Sequence, residues 1–118
     1  MEKALIIIPT YNEIENIESI IKAVFDTRIE LDILVVDDQS PDGTAMVVKN
    51  LMKDFPNRLH LESRENKQGL GAAYVHGFHW ALNRKYAYIF EMDADFSHSP
   101  DELQPMIELL KTKADVVV

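Results

Sequence analysis

Two rhythms of apolar and polar positions alternate along this chain. Residues 4–8 are an unbroken apolar run, as a strand covered on both faces requires. Ile14, Ile17, Ile20, Ile21 and Val24 then recur at the three- and four-residue spacing of one helix face. Residues 33–36 are a second apolar run and end in Asp37-Asp38. Gln39-Ser40-Pro41-Asp42-Gly43 has the composition of a turn. Residues 45–55 predict a second helix with Val47, Val48, Leu51 and Met52 inward. A short strand over 58–62 and a polar loop over 64–69 follow. Residues 71–83 predict a third helix, in which Ala73, Gly77 and Ala81 make a small-residue stripe that lets it lie close to a sheet. The fourth strand is expected over 86–92. Ser99, Pro100 and Glu102 form a capping box with proline at the first helical position. Leu103, Met106, Ile107 and Leu110 make that next helix amphipathic. Residues 115–118 read as another strand beginning, so the chain is expected to be part of a longer protein.

The order is βαβαβαβα, then the start of a strand. It implies an α/β fold: a mostly parallel sheet with helices on both faces. Ligands of such sheets bind beyond the carboxyl ends of the strands. The polar clusters at 9–13, 37–43 and 93–97 all follow strands, and are expected to converge on one crevice there.

Charge and composition narrow the chemistry. The 118 residues carry a net charge of -8, which argues against a nucleic-acid partner, since that needs a basic footprint. An anionic substrate would need a bound cation or local basic residues. The absence of cysteine excludes a disulfide framework and thiolate metal sites. No apolar run approaches the roughly 20 residues of a membrane span, and the start is too short and too acidic for a signal peptide. A cytoplasmic location is expected, or the cytoplasmic face of something larger.

Asp93 and Asp95 share a face if the chain is extended. Two hard oxygen ligands on one rim suit Mg²⁺ or Mn²⁺, which also hold a diphosphate; the plainer alternative is a solvated turn. One acid of Asp37-Asp38 is expected to meet the crevice, as an acceptor for base N–H or ribose hydroxyl groups. Asp38 is the better placed of the two, and the alternative is a turn acid satisfied by backbone N–H groups. Tyr11 offers a ring for stacking a base and Glu13 an acceptor. Equally, Glu13 could serve a helix dipole and Tyr11 the core edge. Lys67-Gln68-Gly69-Leu70-Gly71 resembles a phosphate cradle but suits a tight turn as well. Arg64 and Lys67 could bring positive charge to a diphosphate. His76 and His79 read as partly buried or surface residues, and Phe78 and Trp80 as core. His98 could cap a helix or meet a phosphate. Ser40, Ser97 and Ser99 have no histidine base at readable spacing, which disfavours a serine nucleophile.

Taken in order, Pro9-Thr10-Tyr11-Asn12-Glu13, Val36-Asp37-Asp38-Gln39-Ser40-Pro41-Asp42-Gly43-Thr44, Lys67-Gln68-Gly69-Leu70-Gly71-Ala72-Ala73-Tyr74 and Met92-Asp93-Ala94-Asp95-Phe96-Ser97-His98 resemble glycosyltransferase family 2. The likeness is to its dolichol-phosphate mannosyltransferase (polyprenyl-phosphate sugar synthase) branch, over essentially the whole chain. The resemblance implies a GT-A-like fold, with residues 1–118 as the nucleotide-sugar-binding part and the acceptor-binding half absent. It implies a nucleotide-sugar donor, GDP-mannose first, and a polyprenyl-phosphate acceptor such as dolichyl phosphate at a membrane surface. By the same resemblance Pro9, Tyr11, Glu13, Val36 and Asp38 line the nucleoside pocket. Asp93, Ala94 and Asp95 meet ribose, diphosphate and a Mg²⁺ or Mn²⁺ ion. Asp95 is the main metal ligand and catalytic residue, with Ser97 near the metal where some relatives carry glutamine. Inverting transfer is implied too. A family 2 enzyme using a UDP-sugar and a glycan or polysaccharide acceptor is the alternative, and a response-regulator receiver domain a more distant one. The oligomeric state is left open, a homo-oligomer included.

Overall fold

The computed structural model describes residues 4–26, 31–64, 70–84 and 86–92. Four strands and three helices occupy them: β1 (Ala4–Thr10), α1 (Ile17–Asp26), β2 (Leu31–Asp37), α2 (Thr44–Leu51), β3 (Leu59–Ser63), α3 (Leu70–Leu82) and β4 (Tyr88–Glu91). All strand pairs are parallel, in the order β3-β2-β1-β4. The expected helix after Ser99, the strand at 115–118 and the Lys67–Gly69 stretch lie outside the described residues.

The apolar runs become strands because both sheet faces are covered. Alternate residues of a strand point to opposite faces. Ile6, Ile8, Ile33 and Val35 pack with Ile17, Ile20, Ile21 and Val24 of α1 and Val48 and Leu51 of α2. Leu5, Ile7, Leu34 and Val36 face the other way, against Ala73 and Ala81 of α3, with Tyr74, Phe78 and Trp80 packed around them. Helices thus lie on both faces, as the alternation predicts. Full burial of each such aliphatic side chain contributes roughly 1.5–3 kcal/mol. Gly77 explains the small-residue stripe: a Cβ there would stand 2.7 Å from Ile7 Cγ2. Only hydrogen fits between helix and strand at that level.

Several boundaries move. β1 and β2 run on to Thr10 and Asp37, because pairing continues through Pro9–Val36 and Thr10–Asp37. Proline has no N–H for a ladder, and Pro9 lies two residues beyond Ile7, the last described β1 partner of β4. α1 begins at Ile17 rather than Ile14. Ile14 belongs to the preceding turn and is exposed; the amides of Asn16 and Ile17 both donate to the Glu13 carbonyl to close that turn. α2 ends at Leu51, and turns carry the chain to Phe55, which stacks on Phe25 with ring centroids 4.4 Å apart.

Candidate functional site at the carboxyl ends of the strands

The carboxyl ends of β1, β2 and β3 carry a dense polar network. β1 lies between β2 and β4, so the strand order reverses beside β1, where open parallel sheets form their ligand crevice. The last β4-side residue described, Met92, is buried and donates its amide to the Ile7 carbonyl at 3.0 Å. Asp93 is joined directly to it in sequence. Asp93, Ala94, Asp95, Ser97 and His98 lie outside the described residues.

The two adjacent acids divide their work. Asp37 is 1 % exposed. It accepts the Thr10 hydroxyl at 2.7 Å, the Ser40 hydroxyl at 2.6 Å and the Ser40 amide at 3.0 Å. It is a turn acid, satisfied from within. Asp38 takes a guanidinium fork instead. Arg64 Nε donates to Asp38 Oδ1 at 2.6 Å and Arg64 Nη2 to Oδ2 at 2.8 Å. The two side chains are only 10 % and 7 % exposed. Arg64 is held at its backbone too, where its amide donates to the Asp37 carbonyl at 2.8 Å. The hydrogen bonds to Asp38 raise the Arg64 guanidinium pKa further, against the opposing effect of burial. Arg64, expected to bring positive charge near a diphosphate, is here paired with Asp38.

Of the other predicted donor-pocket residues, Pro9 and Val36 are buried register partners on adjacent strands. Tyr11 is 38 % exposed, so it does not plug the core edge. Glu13 is partly buried at the entry to α1. Pro9, Tyr11, Glu13, Val36 and Asp38 all fall at one end of the sheet.

Composition alone marked residues 39–43 as a turn and missed what its polar side chains do. Three successive amides of the β1–α1 loop each donate to a side-chain oxygen of the β2–α2 loop or of the first residue of α2. Asn12 donates to Ser40 Oγ at 2.8 Å, Glu13 to Thr44 Oγ1 at 3.1 Å and Ile14 to Asp42 Oδ2 at 3.1 Å. Asp42 Oδ1 also accepts the Thr44 amide at 3.0 Å and the Thr44 hydroxyl at 2.5 Å. Burial pushes the Asp42 carboxyl pKa up, but the bonds from Thr44 and Ile14 outweigh it and leave it below its ordinary value. Both loops hold left-handed backbone: Asn12 at φ 58°, Gln39 at φ 53° and Gly43 at φ 93°. Glycine suits that conformation and asparagine tolerates it. Gln39 is strained by roughly 1–3 kcal/mol, a cost typical of sites that hold a set geometry.

Two other expectations concern α3. His76 Nε2 lies 3.1 Å from Glu62 Oε1 at a half-exposed surface position, and His79 is exposed. Trp80 is partly buried among Tyr86, His60 and Arg84. Among the described residues, no three His, Asp or Glu side chains gather as a metal site would need. No described helix is long and apolar enough to cross a membrane.

Comparison with known proteins adds to this geometry. The family described as Glycosyl transferase family 2 matches residues 5–118. A polyprenol monophosphomannose synthase of Mycolicibacterium smegmatis is 45% identical over 117 residues, covering 99% of this chain and 44% of that protein. An undecaprenyl-phosphate mannosyltransferase of Micrococcus luteus is 45% identical over 116 residues, covering 98% of this chain and 47% of that protein. A dolichol-phosphate mannosyltransferase of Pyrococcus furiosus is 33% identical over 98% of this chain and 32% of its own length. The chain thus spans less than half the length of these relatives. A mannosyltransferase of Pyrobaculum calidifontis, solved with GDP-Man and Mn²⁺, superposes with a TM-score of 0.72 at 27% identity, over 91% of this chain and 32% of its own. The mostly parallel four-strand sheet with its helices is GT-A-like, as the superposition indicates.

Proposed function

This chain belongs to glycosyl transferase family 2, and from that premise we propose that it is the nucleotide-sugar-binding part, residues 1–118, of an inverting enzyme that transfers mannose from GDP-mannose to a polyprenyl phosphate such as dolichyl phosphate. The observation that carries this reading is the convergence at one sheet end. Tyr11 and Glu13 follow β1, the Asp38–Arg64 pair joins the ends of β2 and β3, and β4 leads into Asp93, so all belong to the carboxyl end of one parallel sheet. The M. smegmatis, M. luteus and P. furiosus relatives, a polyprenol monophosphomannose synthase and two lipid-phosphate mannosyltransferases, support the sugar and the lipid phosphate. The complex of the P. calidifontis neighbour supports the donor and the need for a divalent cation.

In this reading Pro9, Tyr11, Glu13, Val36 and Asp38 hold the nucleoside. Asp93 and Ala94 approach ribose and diphosphate, and Asp93, Asp95 and Ser97 offer carboxylate and hydroxyl oxygens. Such a donor set fits Mg²⁺ or Mn²⁺, whose charge, when bound, stabilises the leaving diphosphate. Asp95 is the catalytic member of the set. The bond from the anomeric carbon to the donor diphosphate breaks, and the diphosphate leaves with the electron pair. An oxygen of the acceptor phosphate forms the new bond from the opposite side, which inverts configuration. That phosphate is already ionised at neutral pH, so this half needs no strong general base. The acceptor lipid places the parent protein at a membrane surface. Residues 1–118 alone are expected to bind donor weakly and turn over little.

Calorimetric titration with GDP and UDP, in Mn²⁺ and again in EDTA, tests this with Asp95→Ala alongside. Metal-dependent GDP binding that Asp95→Ala abolishes is the expected result. A preference for UDP would shift the assignment to a family 2 enzyme with another donor. Binding indifferent to both EDTA and Asp95→Ala would overturn the metal role.

A further inference from the structure

The β2–α2 loop presents the same small device twice. Asp37 Oδ1 accepts the Ser40 hydroxyl at 2.6 Å, and Ser40 Oγ accepts the Asn12 amide at 2.8 Å. Asp42 Oδ1 accepts the Thr44 hydroxyl at 2.5 Å, and Thr44 Oγ1 accepts the Glu13 amide at 3.1 Å. A hydroxyl has one hydrogen to give, and an ionised carboxylate can only accept. Each hydroxyl must therefore aim its hydrogen at its acid and a lone pair at the loop amide. Short O–H to carboxylate bonds of this length are charge-assisted and strong. The second oxygen of Asp42 takes the next amide, from Ile14. Three consecutive N–H groups are thus fixed from a loop 28 to 31 residues away in sequence.

We propose that Ser40, Asp42 and Thr44 are positioning residues for the donor nucleoside. They set the backbone of residues 12–14, and through it the directions from which Tyr11 and Glu13 meet the ligand. This rests on the proposed function, which puts Tyr11 and Glu13 in the nucleoside pocket. A segment held before binding loses less freedom when the ligand arrives, so the relays act on donor affinity. They lie away from Asp93 and Asp95 in sequence, and their bonds described above go to one another, to Asp37 and to the amides of residues 12–14.

The test uses the natural gene product with Thr44→Val, Thr44→Ser and Ser40→Ala, titrated with GDP and UDP in Mn²⁺ and assayed for donor KM and kcat. Valine keeps the shape of threonine and removes the relay; serine restores it. The expected result is a roughly tenfold rise in nucleotide Kd and donor KM for Thr44→Val and Ser40→Ala, about 1.4 kcal/mol. Thr44→Ser should stay within about twofold of the parent, and kcat at saturating donor should fall far less than KM rises. Circular dichroism and melting establish that each variant is folded; should Thr44→Val fail to fold, Ser40→Ala decides by the same comparison. Folded variants that bind nucleotide like the parent, or a serine variant as impaired as the valine one, would overturn the proposal and leave the proposed function standing. A parent protein that binds neither nucleotide would overturn both.

Discussion

Removing the Arg64 guanidinium while keeping its apolar stem is the sharpest perturbation of this site, and Arg64→Met does that. The fork on Asp38 consists of two bonds of 2.6 and 2.8 Å between side chains 10 % and 7 % exposed. Breaking a buried pair by deleting one partner costs about 3–5 kcal/mol, because a charge is left desolvated without compensation. A tenth of this pair still reaches water, which places the expectation at the lower end, about 3 kcal/mol. That is a large share of the ~5–15 kcal/mol that holds a domain of this kind together. Asp38→Asn removes the stranded charge, so the same Arg64 change made on that background should cost about 1 kcal/mol. Urea unfolding of the parent, the two single variants and the double variant yields the coupling directly. A coupling of about 2 kcal/mol is expected, with Arg64→Lys intermediate, since lysine keeps the charge and lacks the fork. Costs that add to within about 0.5 kcal/mol would refute the reasoning. The pair would then behave like an exposed ion pair, worth little.

Two further outcomes follow from the packing and the loops. Gly77→Ala should lower stability by about 1 kcal/mol in a thermal or urea melt. Overpacking against Ile7 costs about 1–3 kcal/mol, and the gain in helix propensity returns about 1 kcal/mol; a more stable variant would mean that α3 does not approach β1 as closely as 2.7 Å implies. Asp42 has a folded-state pKa below its ordinary value of 3.8, so its contribution is full only well above that value and is lost as pH falls through the folded pKa. The stability gap between the parent and Asp42→Asn should accordingly narrow between pH 5 and pH 2.5, and a constant gap across that range would contradict the assignment.

The sheet was legible in the chain because residues 4–8 and 33–36 are apolar without interruption, and only strands covered on both faces need that. Gly77 was legible as well, since its partners Ala73 and Ala81 fall at four-residue spacing on one helix face. Ile14 shows where such reading fails. Its place in the helical period is perfect, yet its amide is claimed by Asp42, 28 residues on, and a long-range bond outweighed the local rhythm. The Asp38–Arg64 fork was illegible for the same reason. Two residues 26 apart on different elements carry no pairing signal of their own. Ser40, Asp42 and Thr44 were visible only as turn formers, because the amides they accept belong to another loop. The five described residues proposed for the donor pocket, Pro9, Tyr11, Glu13, Val36 and Asp38, were singled out by strand position and resemblance, and each lies near or just past the carboxyl end of a parallel strand.

The position of β1 also bears on how the protein is made. Residue 4 pairs with residue 31 on one side and with residue 88 on the other. At roughly 5–20 residues per second on the ribosome, the second partner emerges some 3–11 seconds after the first. Throughout that interval the most apolar strand of the sheet has one open edge, the kind of surface that recruits strands from other chains. Slow synthesis between residues 31 and 88, or a nascent chain released within that stretch, would lengthen the exposure, and chaperone capture should be greatest there.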